Sequence, residues 1–162
     1  KEAIALDPAF SRARNNYAAF LARQGRFAEA EGQLKVVVED TLYAARPQAF
    51  INLGLTRIQL GDAAGAEEAL ARALSMDRTN SLALLELAQL RYDAGDYEVA
   101  QRYYDRYLSV VRRQSPRALL LGVRLARRSG DRDAEGSYSM ALRNLYPDSA
   151  EYKVYQEITP GG

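Results

Sequence analysis

The chain has 162 residues, of which 48% are hydrophobic, and 22 basic side chains stand against 21 acidic ones, for a formal net charge of +1. This balance argues against nucleic-acid binding, which needs a one-sided basic field, and gives no electrostatic reason to bind an anionic membrane. Because cysteine and histidine are absent, disulfides, Cys/His metal sites and His-dependent nucleophiles are excluded. No apolar run approaches the ~20 residues of a membrane-spanning helix.

Residues 1–10 are predicted to form the end of a truncated repeat. Asp7-Pro8 closes it, because proline ends a helix and biases its predecessor away from the helical region. The chain therefore starts in mid-repeat, and we expect a longer parent protein to continue upstream of Lys1.

Four helix-pair repeats are predicted next, at residues 11–46, 47–80, 81–114 and 115–148. Each pair breaks at a glycine, namely Gly25, Gly61, Gly95 and Gly130. The spacing is 34 residues from Gly61 to Gly95 but 36 from Gly25 to Gly61, so the loop Asp40–Arg46 holds two extra residues. Pro47 and Pro116 start helices, where a missing N–H costs nothing.

The first repeat predicts helices near Ser11 to Gln24 and Phe27 to Glu39. After the fourth, Asp148 and Glu151 are predicted to cap a short helix within 149–158. That helix is expected to cover the apolar face that a terminal repeat would otherwise expose. Residues 159–162 are expected to be a frayed tail.

Four columns of similar residues support this register. Small residues recur at Ala18, Gly54, Ala88 and Gly122, and again at Ala30, Ala66, Ala100 and Ala134. Large residues recur at Tyr17, Leu53, Leu87 and Leu121, and again at Leu34, Leu70, Tyr104 and Tyr138. The small residues let paired helices approach closely, and the large ones fill the space beside them.

The spacing and the columns resemble the tetratricopeptide repeat. The resemblance predicts an all-α fold, a right-handed superhelical solenoid of antiparallel helix pairs, as a single domain over residues 1–158. In that geometry the first helix of each pair lines a concave wall. We expect this wall to form a peptide- or protein-binding groove that contains Asn16, Ile51, Asn52, Leu55, Ile58, Leu85, Gln89 and Tyr92.

Asn16 and Asn52 occupy equivalent repeat positions, and an amide offers both a donor and an acceptor to the backbone of an extended peptide. The apolar members would supply a floor for apolar anchors. The alternative is that the apolar residues pack against the next repeat and that the asparagines are only solvated. A clamp for acidic C-terminal peptides is disfavoured, because Glu86 lies where such a clamp needs a cation.

The residues give no support for enzyme activity. The glycines are spaced as helix breaks and not as a phosphate-binding loop. Glu67 and Glu68 are consecutive on a helix and point in different directions. We therefore expect no catalytic residue, no metal site and no cofactor.

Several stretches resemble a narrower family. These are Asn15-Asn16-Tyr17, the loop Asp40-Thr41-Leu42-Tyr43, Arg102-Tyr103-Tyr104-Asp105, and the run from Leu119 through Leu145-Tyr146-Pro147 to Glu151-Tyr152. Together they look like the type IV pilus biogenesis lipoproteins called PilF or PilW, the pilotins of the secretin.

The resemblance implies a non-enzymatic, monomeric scaffold at the periplasmic face of the outer membrane of a Gram-negative bacterium. Its partner would be the type IV pilus secretin, which it would help to localise and assemble, as pili and twitching motility require. A lipid anchor carried upstream of this chain would provide the only membrane contact. The alternatives are a periplasmic or cytoplasmic repeat adaptor for another peptide or protein, and a regulatory repeat domain cut from an enzyme.

Overall fold

The structure, a computed structural model, describes residues 8–161. This part of the chain holds nine α-helices and no β-strand, so the predicted all-α fold is confirmed. In chain order the helices are α1 (Pro8–Arg23), α2 (Phe27–Val38), α3 (Arg46–Gln59), α4 (Ala63–Met76), α5 (Ser81–Asp93), α6 (Tyr97–Val110), α7 (Pro116–Ser129), α8 (Arg132–Leu145) and α9 (Ala150–Ile158). None of the described helices is long and apolar enough to cross a bilayer.

Each predicted break is a glycine in the left-handed region, with φ of 73°, 76°, 81° and 74° at Gly25, Gly61, Gly95 and Gly130. The residue after each glycine donates its N–H back to a carbonyl five positions earlier, as Asp62 does to Arg57 at 2.9 Å and Asp131 to Ala126 at 2.9 Å. This is the Schellman ending of a helix, which needs positive φ and therefore favours glycine.

The residue after the glycine also starts the next helix. The carboxylates of Asp62, Asp96 and Asp131 accept hydrogen bonds from the N–H groups of Gly65, Val99 and Ala134. The first pair differs, since Arg26 provides no side-chain cap and instead binds both carboxylate oxygens of Glu29, at 2.7 and 2.6 Å. A glycine followed by a capping residue thus turns the chain within two or three positions.

The chain divides into two compact units, residues 1–87 and 88–162. In the first unit α1 packs on α2, α2 on α3 and α3 on α4. The predicted small positions Ala18, Ala30 and Ala66 are 0–1% exposed. At Gly54 an added Cβ would lie 2.6 Å from Cγ of Leu70, so only glycine allows this approach of α3 to α4.

In the second unit α7 packs on α8, and α9 contacts both of them. Tyr104, on α6, is fully buried and donates its hydroxyl hydrogen to the carbonyl of Ala118 on α7 at 2.8 Å. The rings of Tyr152 and Tyr155, with Val154, pack from α9 against a buried cluster of Leu119, Leu120 and Leu142. A short terminal helix therefore covers apolar side chains of the last pair.

The extra loop is closed by a buried carboxylate. Asp40 is 4% exposed and accepts hydrogen bonds from the hydroxyl of Ser11 at 2.5 Å and from the N–H of Leu42 at 3.1 Å. Arg46 donates its Nε–H to the carbonyl of Val38 at 2.6 Å. Asp40 and Arg46 thus hold the two ends of the loop by hydrogen bonds. Leu42, between them, is 69% exposed.

Several sequence predictions need correction. The first helix begins at Pro8 and not near Ser11, because proline is well suited to the first turn of a helix. Tyr17, predicted as a core residue, is 46% exposed and stacks on Phe20, with ring centroids 6.4 Å apart. The last helix is capped by Ser149, which accepts from the N–H of Tyr152 at 3.1 Å, and not by the predicted Asp148.

The repeat boundaries, the single domain over residues 1–158 and the frayed tail at 159–162 stay predictions. Residues 1–7, which carry most of the predicted truncated repeat, lie outside the described part of the chain.

Candidate protein-binding face

Two helices of the first unit bring a set of amide side chains together. Asn52 on α3 donates its Nδ2–H to Oδ1 of Asn15 on α1 at 3.1 Å, and Gln48 donates its Nε2–H to Oδ1 of Asn52 at 3.1 Å. We call the surface formed by Asn15, Asn16, Gln48, Asn52 and Leu55 the α1/α3 face. Gln48, Asn52 and Leu55 share one side of α3, because they are spaced by four and three residues.

Four of the predicted groove residues lie on or beside this face with side chains that reach solvent. Asn16 is exposed, and Asn52, Leu55 and Ile58 are half-buried. Asn52 uses one N–H in its hydrogen bond to Asn15 and one lone pair in its hydrogen bond from Gln48. It keeps a second N–H and a second lone pair, since an amide has two of each. A peptide backbone therefore still has polar partners at this point.

Two other predicted groove residues have side chains that are buried and do not reach solvent. Ile51 is 1% exposed and Leu85 is 6% exposed, so both side chains contribute chiefly to packing. This is the alternative that the sequence left open for the apolar members of the set. The physical reason is that Ile51 lies one position from Asn52, and a step of one residue turns a helical side chain by ~100°.

The remaining two predicted residues belong to the second unit. Gln89 is half-buried and donates its Nε2–H to Oδ1 of Asp93 at 2.8 Å. Tyr92 is half-buried and meets the ring of Tyr97 edge-on, with centroids 5.2 Å apart. Both side chains already have partners within their own unit, and their role in binding stays a prediction.

The α1/α3 face is positively charged because of the residue types in its two helices. Neither α1 nor α3 contains an aspartate or a glutamate. Arg12 and Arg23 on α1 are exposed, and no ion pair of the described residues involves them. Glu86, which weighed against an acidic ligand, is 5% exposed on α5. The two helices of this face therefore contribute cations and amides but no carboxylate of their own.

Two members of the face, Asn15 and Gln48, fall on the predicted concave wall but were left out of the predicted binding set. The pairing of Gln48 with Asn52 was predictable, because residues four positions apart face each other on a helix. The bond between Asn15 and Asn52 was not, because it spans 37 residues and depends on how α1 and α3 pack. Nothing in the described residues forms a cluster of three or more acidic, histidine or cysteine side chains that could hold a metal ion.

Comparisons with known proteins agree with this fold. Two tetratricopeptide-repeat family models match residues 57–125 and 1–32. The chain is 40% identical over 156 residues to the type IV pilus assembly protein PilF of Pseudomonas aeruginosa. That alignment covers 96% of this chain and 62% of PilF, so the chain spans less than two thirds of that relative.

Solved structures give the same result. A structure of Pseudomonas aeruginosa PilF matches with a TM-score of 0.86 and 40% identity, over 92% of this chain and 67% of that one. A structure of PilW, described as a widely conserved type IV pilus biogenesis factor, matches with a TM-score of 0.77 and 29% identity, over 90% and 66%. The chain therefore belongs to the PilF/PilW family of type IV pilus biogenesis proteins, which are all-α solenoids of tetratricopeptide repeats.

Proposed function

We propose that this protein is a non-enzymatic scaffold for type IV pilus biogenesis and that it holds a segment of the secretin subunit on the α1/α3 face. The observation that carries this proposal is the amide chain of Gln48, Asn52 and Asn15 beside the exposed Asn16. Amides with free donors and acceptors suit the backbone of an extended segment.

The charge of the face narrows the chemistry of the bound segment. Arg12 and Arg23 carry positive charge without a carboxylate on either helix of the face. A segment with acidic side chains gains from these cations, and like-charged segments are disfavoured. Leu55 and Ile58 offer half-buried apolar surface for one anchor residue. We therefore propose a mixed segment, with apolar and acidic side chains.

The family resemblance supports a proposal for the location. A pilotin acts at the periplasmic face of the outer membrane in a Gram-negative bacterium, and we propose this location for the full-length parent. A lipid anchor upstream of this chain would bring the bound secretin subunit to that membrane. The repeats then serve as the binding module, which is a use that the extended surfaces of solenoids favour.

The test is a titration of the purified chain with the periplasmic region of the secretin from the same bacterium. Asn52→Ala combined with Leu55→Asp should weaken binding by at least ~100-fold, because the variant removes an amide contact and charges the apolar anchor. Asn16→Ala changes an exposed position, so it should weaken binding without changing the fold.

Leu42→Asp is the matched control, because Leu42 is 69% exposed on the loop and lies off the α1/α3 face. It should bind as the wild type does. Far-UV circular dichroism should show the same helicity for every variant. Unchanged secretin binding by the folded double variant and by Asn16→Ala would place the binding surface elsewhere and refute the proposal.

A further inference from the structure

A groove opens between α8 and α9 in the second unit. Its volume is about 200 Å³. Met140 and Arg143 line it from α8, and Tyr152, Tyr155 and Gln156 line it from α9. The rings of Tyr152 and Tyr155 are stacked with centroids 6.0 Å apart, and they form one wall.

Gly136 lines the groove and presents no side chain to it. Gly136 lies inside α8, where glycine costs about 1 kcal/mol relative to alanine. A Cβ built there meets nothing within 4 Å, so no packing contact requires glycine at this position. The missing side chain leaves the space between the helices open to solvent.

The surface of the groove is suited to a protein partner. Met140 is 56% exposed, and methionine adapts its shape to different apolar partners. Tyrosine provides a rigid ring with a polar end, which is a preferred combination at protein interfaces. The volume is below the ~300 Å³ of small-molecule pockets, so the groove fits one anchoring side chain of a larger partner.

The charge of the residues that line the groove indicates which charge the partner should carry. Among the described residues that line the groove, Arg143 is the single charged side chain and none carries a carboxylate. Arg143 forms no ion pair with any described residue. The groove therefore carries one uncompensated positive charge beside an apolar wall, and its complement is an apolar side chain next to a carboxylate.

We propose that the α8/α9 groove is a second docking site, which takes a segment of a partner protein that carries an apolar side chain next to an acidic residue. The apolar side chain enters over Gly136 between Met140 and the stacked tyrosine rings. The adjacent carboxylate accepts hydrogen bonds from Arg143. This site uses residues of the second unit only and does not rest on the proposed secretin-binding face.

The experiment uses two blocked pentapeptides as probes. The first has the order glycine, leucine, aspartate, leucine, glycine, and the second has asparagine in place of aspartate. Binding is followed by amide chemical shifts of the ¹⁵N-labelled protein. The acidic peptide should shift the amides of Gly136, Arg143, Tyr152 and Gln156. The asparagine peptide should bind about two- to fivefold more weakly, which is the effect of one exposed charge pair.

Gly136→Leu should fill the groove and abolish these shifts. Gly32→Leu is the matched control, since Gly32 lies inside α2, two positions after Ala30 as Gly136 lies two positions after Ala134, and its Cβ would also meet nothing within 4 Å. It should retain the shifts. Met140→Asp, on an exposed position, is a second blocking variant that provides the test even if Gly136→Leu folds poorly.

The proposal is overturned if the wild type shows no shifts at α8 and α9 with millimolar acidic peptide. It is also overturned if both peptides bind equally, or if the shifts persist in folded Gly136→Leu and Met140→Asp. Arg143→Ala should weaken the acidic peptide about two- to fivefold and leave the asparagine peptide unchanged.

Discussion

The hydroxyl of Tyr104 lies 2.5 Å from the position that a Cβ at residue 122 would occupy, and the ring of Tyr138 lies 3.0 Å from it. Tyr104 is held there, because its hydroxyl donates to the carbonyl of Ala118 at 2.8 Å and its side chain is fully buried. The glycine in α7 is therefore required by the size of two tyrosines from neighbouring helices.

Gly122→Ala should lower the free energy of unfolding by about 1–3 kcal/mol, the usual cost of overpacking a core. Urea unfolding followed by circular dichroism measures this. Gly136→Ala is the control, because its Cβ meets open space and alanine should stabilise α8 by up to about 1 kcal/mol. Equal stability of Gly122→Ala and the wild type would contradict the close approach.

Tyr104→Phe should lower the free energy of unfolding by about 1 kcal/mol at neutral pH, because it removes one buried hydrogen bond while it keeps the ring. The measurement is urea unfolding at pH 7. Tyr103→Phe serves as the control, because Tyr103 is half-buried and its change should have little effect. A Tyr104→Phe variant as stable as the wild type would show that the bond to Ala118 contributes nothing.

The same tyrosine makes stability depend on alkaline pH. Burial, with the neighbouring Tyr138 and Tyr107, raises the pKa of Tyr104 far above its ordinary value. In the unfolded chain the phenol ionises near pH 10, so its contribution is complete below that pH. Above it the unfolded state loses a proton that the folded state keeps, and stability falls by up to ~1.4 kcal/mol per pH unit.

Unfolding at pH 8 and pH 11 in the wild type and Tyr104→Phe isolates this contribution. The wild type should lose more stability than Tyr104→Phe over the interval, since the variant lacks the titrating group. Identical losses in the two proteins would contradict the assignment.

Asp40→Ala should lower the free energy of unfolding by about 1–3 kcal/mol, because the hydroxyl of Ser11, which is 1% exposed, loses its acceptor. The N–H of Leu42 loses an acceptor as well. Asp40→Asn, which keeps one amide oxygen, should lose less. Thermal unfolding of the wild type, Asp40→Asn and Asp40→Ala ranks their stabilities. An Asp40→Ala variant as stable as the wild type would contradict the hydrogen-bonding role of the carboxylate.

Arg127→Ala should release the end of α9. Arg127 donates to Oε1 of Glu135 at 2.5 Å and to the carbonyl of Ile158 at 3.1 Å, and its Nη2 also hydrogen-bonds the hydroxyl of Thr159. Its loss should speed amide exchange in α9 by roughly tenfold, for the loss of about 1–2 kcal/mol of local stability.

Hydrogen exchange detected residue by residue measures this local opening. Arg143→Ala is the control on the adjacent helix, since Arg143 forms no ion pair with a described residue and its removal should leave exchange unchanged. Exchange in α9 that stays at the wild-type rate in Arg127→Ala would contradict the anchoring role.

The sequence predicted most of the helix boundaries because their signals are local. A glycine with positive φ ends α1, α3, α5 and α7 at the predicted places. Pro116 lies at the first position of α7, as predicted, and Ser115 caps that helix. The register of small residues was predictable for the same reason, because a column of alanine and glycine leaves few ways to pair two helices. The family resemblance rested in part on exposed loop residues such as Thr41 and Leu42, which the packing of a repeat does not dictate.

The candidate site was predictable only in part. Whether one face of a helix is exposed or buried depends on which other elements pack against it. Asn16 and Ile51 were both assigned to one groove, yet one is exposed and the other is 1% exposed. The bond between Asn15 and Asn52 was not predicted, because it joins two helices that are distant in sequence. Arg127 binds Glu135 and the end of α9, and the second of these contacts spans 31 residues.

By itself the sequence determined the period, the helices and the family of this protein. These depend on backbone conformation and on spacing along the chain, which are local properties. The tertiary structure decided which side chains remain available, from the amide chain of the α1/α3 face to the open groove over Gly136. Availability depends on residues distant in sequence that cover a surface or leave it bare, and no periodic pattern contains that information.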